Sequence, residues 1–320
     1  MDKSILKQWH SFDKKVRPKF TVAEKRDISK QIKPISLEKI QKEYSELKKI
    51  GCAAHLQSDR TRVGNSVVDY FTFTERLETK GKYDINFYDF LQSSDLFKDK
   101  KFIQTMIEFY AAKKKKNIFI VLKEMYNICI SAINIIRPIV YMEIYTKYKA
   151  RKVLDFCAGW GGAIVASFVL NINSYIGVEI NKNLEEPYNK LNSFLESQEK
   201  NMQTPTKIQM IFENALNVDY GSLDYDFVFT SPPYYFIQKY SHNEAYINKK
   251  KMETDFYVPL FKKTFDSLQK GGTYILNIPK EIYENVCTNL LGPANEIFFY
   301  KKSQRQNNYK ETVYVWYKAL

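Results

Sequence analysis

Residues 230–235 read Thr-Ser-Pro-Pro-Tyr-Tyr, and the six before them read Asp224-Tyr-Asp-Phe-Val-Phe229. That preceding run alternates and then turns apolar, which predicts a buried strand. Neither proline has an N–H for a sheet ladder, so the strand must stop at Ser231 on a stiff backbone. Its carbonyls then point in fixed directions at the C-terminal edge of a sheet, where open α/β folds bind ligands. Rigid acceptors beside the rings of Tyr234 and Tyr235 suit a planar group that bears an NH2, which describes a nucleobase. Taken in isolation, the same residues also fit a strand that ends in a Pro-Pro turn with two surface tyrosines.

A second constellation lies about 75 residues upstream, Val153-Leu-Asp-Phe-Cys-Ala-Gly159-Trp-Gly161-Gly162. Val153 to Phe156 reads as a strand, the glycines as a turn, and Ala163 to Leu170 as a helix. A second strand, Ser174 to Val178, ends in Glu179. Glycines at such a turn take up positive φ and let the backbone approach a ligand. An acid closing the second strand of such a unit accepts hydrogen bonds from ribose hydroxyls. Glu179 follows Gly159 by 20 residues, the spacing a nucleoside cofactor requires. The loop is not a full G-x-G-x-x-G, and nothing basic or hydroxyl-bearing follows Gly162, which excludes a P-loop.

Together, in this order and spacing, the two motifs resemble the S-adenosylmethionine-dependent amino-methyltransferases of nucleic acids. That family carries a D-P-F-x-G-x-G loop and a [D/N/S]-P-P-[Y/F/W] loop, and the resemblance covers about residues 130–320. Asp155, Ala158, Gly159 and Gly161 match the cofactor loop, Glu179 the ribose-binding acid, and Ile180 the apolar residue beside the adenine. Asn214 falls where the family often has an Asp that touches the adenine amine. Arg137 and Pro138 resemble the motif at the methionine end of the cofactor. Ser231, Pro232, Pro233 and Tyr234 match the catalytic loop. Phe156-Cys157 departs from the usual Pro-Phe.

The implied cofactor is S-adenosyl-L-methionine, and the implied reaction is in-line methyl transfer to the exocyclic amine of cytosine (N4) or adenine (N6) in DNA. The Ser231 side chain and Pro232 carbonyl would accept the two amine hydrogens, and Tyr234 would stack on the base. Positioning and electrostatics of this kind lower the barrier without a covalent nucleophile. Carbon-5 cytosine methylation needs a thiolate beside proline, and none of Cys52, Cys129, Cys157 and Cys287 follows one. An RNA base methyltransferase, or a methyltransferase-like partner subunit without activity, remains an alternative. Ser before Pro-Pro leans toward cytosine N4.

The elements that must position these groups make an α/β, Rossmann-like methyltransferase domain with a mostly parallel sheet, residues 131–320. Further strands are expected at Lys207 to Phe212, Thr273 to Ile278, Ile297 to Lys301 and Val313 to Tyr317, with a helix from Val258 to Gln269. Ahead of it, residues 1–34 read as a basic, partly disordered tail and 35–130 as a helical region that binds nucleic acid. Ser36 to Ile50 has Leu37, Ile40, Tyr44 and Leu47 on one helical stripe.

Residues 1–150 hold 30 Lys and Arg against 18 Asp and Glu, while residues 151–320 hold 19 against 18. Nearly all the +13 net charge therefore sits in the front half, which suggests a polyanionic partner. Arg60 and Arg62 on a polar loop, Lys113, Lys114, Lys115 and Lys116 at a helix end, and Lys239 beside the acceptor pocket are the candidate nucleic-acid contacts. A homodimer or partner subunit is possible on this pattern. Four scattered cysteines suggest reduced thiols inside the cell, in cytoplasm or nucleus. With three His and no C-x-x-C, no metal site is expected. The greasy stretch Asn117 to Tyr141 carries Lys123, Glu124 and Arg137, so it reads as buried helices rather than a membrane span.

Overall fold

The computed structural model describes residues 6–7, 19–56, 61–80, 84–94, 100–113, 117–130, 133–199, 206–236, 246–300 and 311–320. Its strands are β1 (Lys152–Asp155), β2 (Ser174–Val178), β3 (Lys207–Ile211), β4 (Phe227–Thr230), β5 (Thr273–Asn277), β6 (Glu296–Tyr300) and β7 (Glu311–Tyr317). They form one seven-stranded sheet in the order β3-β2-β1-β4-β5-β7-β6. β1 to β5 run parallel, and β7 is antiparallel to both neighbours. The expected Rossmann-like α/β architecture with a mostly parallel sheet is the one the chain adopts. Val153, Leu154, Val228, Phe229, Ile275 and Leu276 are all buried, as a sheet covered on both faces requires. The strand order reverses between β1 and β4, and at such a switch point the loops leaving two neighbouring parallel strands diverge and open a crevice.

The helices include α1 (Val22–Ile32), α2 (Leu37–Ile50), α3 (Asn65–Arg76), α4 (Phe87–Gln92), α5 (Lys101–Ala112), α6 (Ile118–Cys129), α7 (Pro138–Lys147), α8 (Gly162–Leu170), α9 (Glu185–Gln198), α10 (Lys249–Met252) and α11 (Val258–Asp266), with two short helical segments, Lys280–Ile282 and Thr288–Leu291, after β5. Two compact units emerge, and they divide the sequence differently from the expected boundaries. One contains Phe73–Asn134 together with the described residues up to Ser36; the other contains Leu37–Thr72, Ile135–Phe236 and the described residues from 246 onward. Within the expected 1–34 tail, Val22–Ile32 is a helix, started by a capping box between Thr21 and Glu24.

Leu37–Thr72 joins the sheet-bearing unit because α8 is buried all round, Gly162 through Val169, and needs more than the sheet to cover it. α7 and α2 pack against it. On α2 the expected stripe is buried at Ile40, Tyr44 and Leu47, whereas Leu37 is exposed. The Tyr44 hydroxyl donates to Glu199 at 2.6 Å, and Lys48 reaches the same carboxylate at 2.9 Å. The other unit has its own apolar core, with Phe73, Phe87, Tyr88, Phe90, Ile107, Val121 and Met125 buried. Tyr70, which belongs to the sheet-bearing unit, is exposed. No described helix is long and apolar enough to cross a membrane.

Glu43 on α2 fixes where α3 begins. Its carboxylate accepts from the Gly64 and Ser66 N–H groups, both at 3.0 Å, and from the Ser66 hydroxyl at 2.6 Å. Gly64 sits at φ +86°, and a Cβ there would lie 2.5 Å from Leu47 Cδ1. We expect Glu43→Ala to lower unfolding free energy by about 1–3 kcal/mol, the cost of leaving these donors unpaired. Urea unfolding of the variant against the parent measures it, and an unchanged midpoint would remove Glu43 from the fold's supports.

Candidate active site

The loop after β1 is built to keep its backbone open. Gly159 and Gly161 take φ +59° and +92°, a region L side chains rarely adopt. A Cβ on Gly161 would come within 2.8 Å of Leu191, and one on Gly162 within 2.6 Å of the Ile136 carbonyl. Gly159 differs, because a Cβ there would meet nothing nearer than the Cys157 carbonyl at 3.8 Å. Its bareness therefore opens space in front of the loop rather than relieving contacts behind it. From behind, the buried Tyr188 hydroxyl donates to the Ala158 and Gly159 carbonyls at 3.1 and 3.2 Å. Thr72 on α3 does the same to the Trp160 carbonyl at 3.2 Å.

Glu179 meets this loop directly. Gly159 N–H donates to its Oε2 at 2.8 Å and Asn181 N–H to its Oε1 at 2.9 Å. Each carboxylate oxygen thus keeps a lone pair for a further donor. Burial pushes the carboxyl up to about 7 against the pull of these backbone donors. Asn214 turns its Oδ1 back onto Leu216 N–H at 3.0 Å, which leaves its amide hydrogens facing elsewhere. Ile180 is half-buried next to Glu179. Arg137 occupies the position just before α7, ahead of Pro138, and its guanidinium donates to the Thr61 carbonyl at 2.8 Å.

The loop after β4 is held from two sides. The Ser231 hydroxyl lies 2.8 Å from the Tyr234 hydroxyl, which in turn reaches Asn277 Oδ1 at 2.7 Å, at the end of β5. Pro232 is buried, and among the described residues no hydrogen bond ends on its carbonyl. Tyr257 clamps the other side, donating to the Pro233 carbonyl at 2.6 Å and accepting from Tyr235 N–H at 2.9 Å. Tyr235 has φ +47°, a strained conformation for a non-glycine residue that its surroundings must impose. Its hydroxyl donates to the buried Glu253 at 2.7 Å, which Asn285 also holds at 2.9 Å.

Tyr257 and Glu253 are presented by a π-helical turn, Glu253–Tyr257, between α10 and α11, where the sequence predicts only a helix from Val258. Pro259 has no N–H to continue an α-helical ladder, and Val258 N–H instead reaches the Glu253 carbonyl five residues back.

Asp155 joins the two loops. Its Oδ1 accepts the Thr230 hydroxyl at 2.7 Å and the Cys157 N–H at 3.2 Å, so the residue before Ser231 and the residue after Phe156 hang on one oxygen. Burial pushes the Asp155 carboxyl up to about 6. Asp155 and Glu179 hold their protons more tightly folded than unfolded. Their contribution to stability is full below the ordinary carboxylate range and is lost as pH rises through about 6 and about 7. Burial also pushes the Cys157 and Cys287 thiols well above their ordinary values, which disfavours a thiolate at either.

Of the sequence-predicted residues, the structure brings together Asp155, Ala158, Gly159, Gly161 and Glu179 through one loop, and Ser231, Pro232, Pro233 and Tyr234 through another. Arg62 is exposed beside Thr61, and Lys113, also exposed, lies 4.2 Å from the Phe109 ring centroid in the other unit. Arg60, Lys114, Lys115, Lys116 and Lys239 lie outside the described residues. Sequence reasoning missed Tyr188, Tyr257 and Asn277. Asn277 had a signal, a lone amide closing an apolar strand; the tyrosines had none, since their spacing reads as ordinary core. No group of three or more His, Cys, Asp and Glu able to hold a metal occurs among the described residues.

No protein-family model matches the chain, and no curated protein does. Solved structures similar to it include a protein described as a methylase from Haemophilus influenzae, at 13% identity and TM-score 0.34, covering 57% of this chain and 89% of that chain. A methyltransferase from Pyrococcus furiosus has 16% identity and TM-score 0.35, covering 57% of this chain and 83% of that chain. A protein described as an RNA methyltransferase from Pyrococcus horikoshii has 16% identity and TM-score 0.37, with the same coverages of 57% and 83%. Likeness this weak decides nothing about substrate.

Tyr257→Phe removes both arms of the clamp while keeping the ring. We expect the variant to lose about 1–3 kcal/mol of stability, because Tyr235 N–H is left buried without its partner. Hydrogen exchange at the Tyr235 amide should speed up more than exchange along β1. Equal protection in both proteins would show that the clamp does not hold the loop.

Proposed function

We propose that the chain transfers a methyl group from S-adenosyl-L-methionine to the exocyclic amine of cytosine or adenine in DNA. The observation that supports this most is the acceptor pair at the end of β4, Ser231 Oγ and the Pro232 carbonyl. It stands at the sheet's switch point and is linked through Asp155 to an open glycine loop. A hydroxyl backed by Tyr234 and a carbonyl on which no hydrogen bond ends among the described residues suit the two hydrogens of an NH2 group.

The residues present fit the nucleoside part of that cofactor. Gly159 leaves the loop bare on its open side, Glu179 keeps a lone pair on each oxygen for ribose hydroxyls, and Asn214 has amide hydrogens to offer a base. Ile180 would lie against the adenine, with Ala158 and Gly161 shaping the loop. Arg137 and Pro138 would close the methionine end, Arg137 being already engaged with Thr61. The bound cofactor supplies an activated methyl group on a sulfonium. Ser231 and Pro232 draw the amine hydrogens to one side, which frees the nitrogen lone pair from the ring and turns it toward the methyl. The Tyr234 ring stacks on the base. Acceptors aimed at developing positive charge stabilise the transition state. In a duplex, the target base must leave the stack to reach them.

DNA as the partner draws support from the charge of the first 150 residues, a net +12. Neutralised phosphates release counterions, so DNA affinity should fall steeply with added salt. Arg60, Arg62, Lys113, Lys114, Lys115, Lys116 and Lys239 are the proposed contacts. The deciding experiment is nucleoside mass spectrometry on unmethylated DNA and RNA incubated with protein and cofactor. N4-methylcytosine or N6-methyladenine in DNA is the expected product, whereas methylated nucleosides in RNA alone would move the activity to RNA.

Glu179 makes the cofactor site pH-dependent. Ribose hydroxyls donate better to a carboxylate than to a carboxylic acid, so cofactor affinity should rise from about pH 6 to about pH 8 as the group ionises. Glu179→Gln should bind roughly 1–3 kcal/mol more weakly at the upper end and show no such rise. Calorimetry that finds the same pH dependence in both proteins would detach Glu179 from the ribose. Ser231→Ala should abolish most methyl transfer while leaving cofactor affinity within about twofold.

A further inference from the structure

Two π-helical turns meet at the Glu253 carboxylate. One, Glu253–Tyr257, carries it; the other, Tyr283–Cys287, lies between the two short helical segments after β5 and presents Asn285. Glu253 Oε1 accepts the Tyr235 hydroxyl at 2.7 Å and the Asn285 side-chain amide at 2.9 Å. Lys250 approaches Oε2 at 3.4 Å from an exposed position. The first turn therefore grips Tyr235 twice. Glu253 holds its tip, and the Tyr257 hydroxyl takes its N–H at 2.9 Å while donating to the Pro233 carbonyl at 2.6 Å. Turns of this kind interrupt the α-helical ladder and concentrate at functional sites.

Tyr235 needs such a grip. Pro232 and Pro233 have φ fixed by their rings, which leaves Tyr234 and Tyr235 the loop's freer joints. A glycine at residue 235 would take φ +47° readily, along with many other conformations. A tyrosine resists that φ, so the observed conformation lasts only while its partners hold it. Strain and grip together leave the loop a single geometry.

We propose that Glu253 is a positioning residue for methyl transfer: through the Tyr235 hydroxyl it holds residue 235 in the left-handed conformation and so fixes the Ser231 and Pro232 acceptors. The proposal rests on the amine reading of that acceptor pair. Glu253 acts through Tyr235 and needs no contact with base or cofactor. Displacing an acceptor by about 1 Å costs on the order of 100-fold in rate, so a released loop loses turnover before it loses ligand.

Tyr235→Phe removes the hydroxyl and keeps the ring; Glu253→Ala removes its acceptor. Both are to be assayed with tritiated-methyl S-adenosylmethionine and unmethylated mixed-sequence DNA made by amplification. Each should lower kcat roughly 10- to 30-fold, with KM for DNA and cofactor affinity within about twofold. Glu253→Gln keeps an oxygen for Tyr235 and should recover most of the loss. The double variant Tyr235→Phe/Glu253→Ala should be no slower than the slower single one, since both break one contact. Tyr235→Gly should turn over about fivefold faster than Tyr235→Ala, because only glycine takes this φ without strain. A Tyr235→Ala rate equal to or above that of Tyr235→Gly would overturn the proposal. So would KM and cofactor affinity weakening in step with kcat, the mark of general packing. Wild-type kcat in Tyr235→Phe would overturn it and leave the amine reading standing. A wild-type protein that transfers methyl to neither DNA nor RNA would remove both.

Discussion

One buried oxygen, Oδ1 of Asp155, holds the two loops of the site in register. Parallel neighbours β1 and β4 share ladder bonds only as far as their strands run, and beyond them the chain diverges. Nothing in the sheet itself relates the glycine loop to the Pro-Pro loop. Asp155 does, by accepting from Thr230 and Cys157 together. A carboxylate is costly to bury, and the upward push on its carboxyl reflects that. The fold tolerates the cost because a single rigid acceptor at the end of β1 fixes both walls of the crevice.

Around this link, tyrosine hydroxyls serve as struts. Tyr188 supports the glycine loop, Tyr257 clamps the Pro-Pro loop, Tyr234 orients Ser231 and Tyr44 anchors α2 to the residue following α9. A loop backbone that bends away from its sheet leaves carbonyls and N–H groups that must be paired when buried. A tyrosine can fill the apolar layer with its ring and reach such a group with its tip. The strained φ of Tyr235 follows from the same device, since Tyr257 and Glu253 grip its backbone and its hydroxyl at once.

The placement of Leu37–Thr72 changes how the front of the chain is understood. α2 covers α8, Glu43 starts α3, and Thr72 and Thr61 reach Trp160 and Arg137. This segment is part of the wall behind the candidate cofactor site. It holds 6 Lys and Arg against 5 Asp and Glu, so it takes only one unit of the +12 with it. Residues 1–36, with 10 against 4, keep the basic character that a nucleic-acid partner would meet.

By itself the sequence determined the elements whose signals are local. Two prolines ended β4 at Thr230, glycines marked the loop after β1, and Glu179 closed β2, because turn chemistry and strand period act over a few residues. Strand ends expected from the pattern fell within two residues of those observed, from Lys207–Ile211 to Glu311–Tyr317. Tertiary structure decided what depends on distant partners. That Leu37–Thr72 folds onto the sheet unit follows from α8 needing a second cover, which no composition shift records. That Asn277 and Glu311 stand behind Tyr234 follows from β5 and β7 pairing antiparallel, which sets residue 277 near the start of β7 across 34 residues of chain. Local pattern states which side chains face a core; only the completed sheet states which polar tips meet.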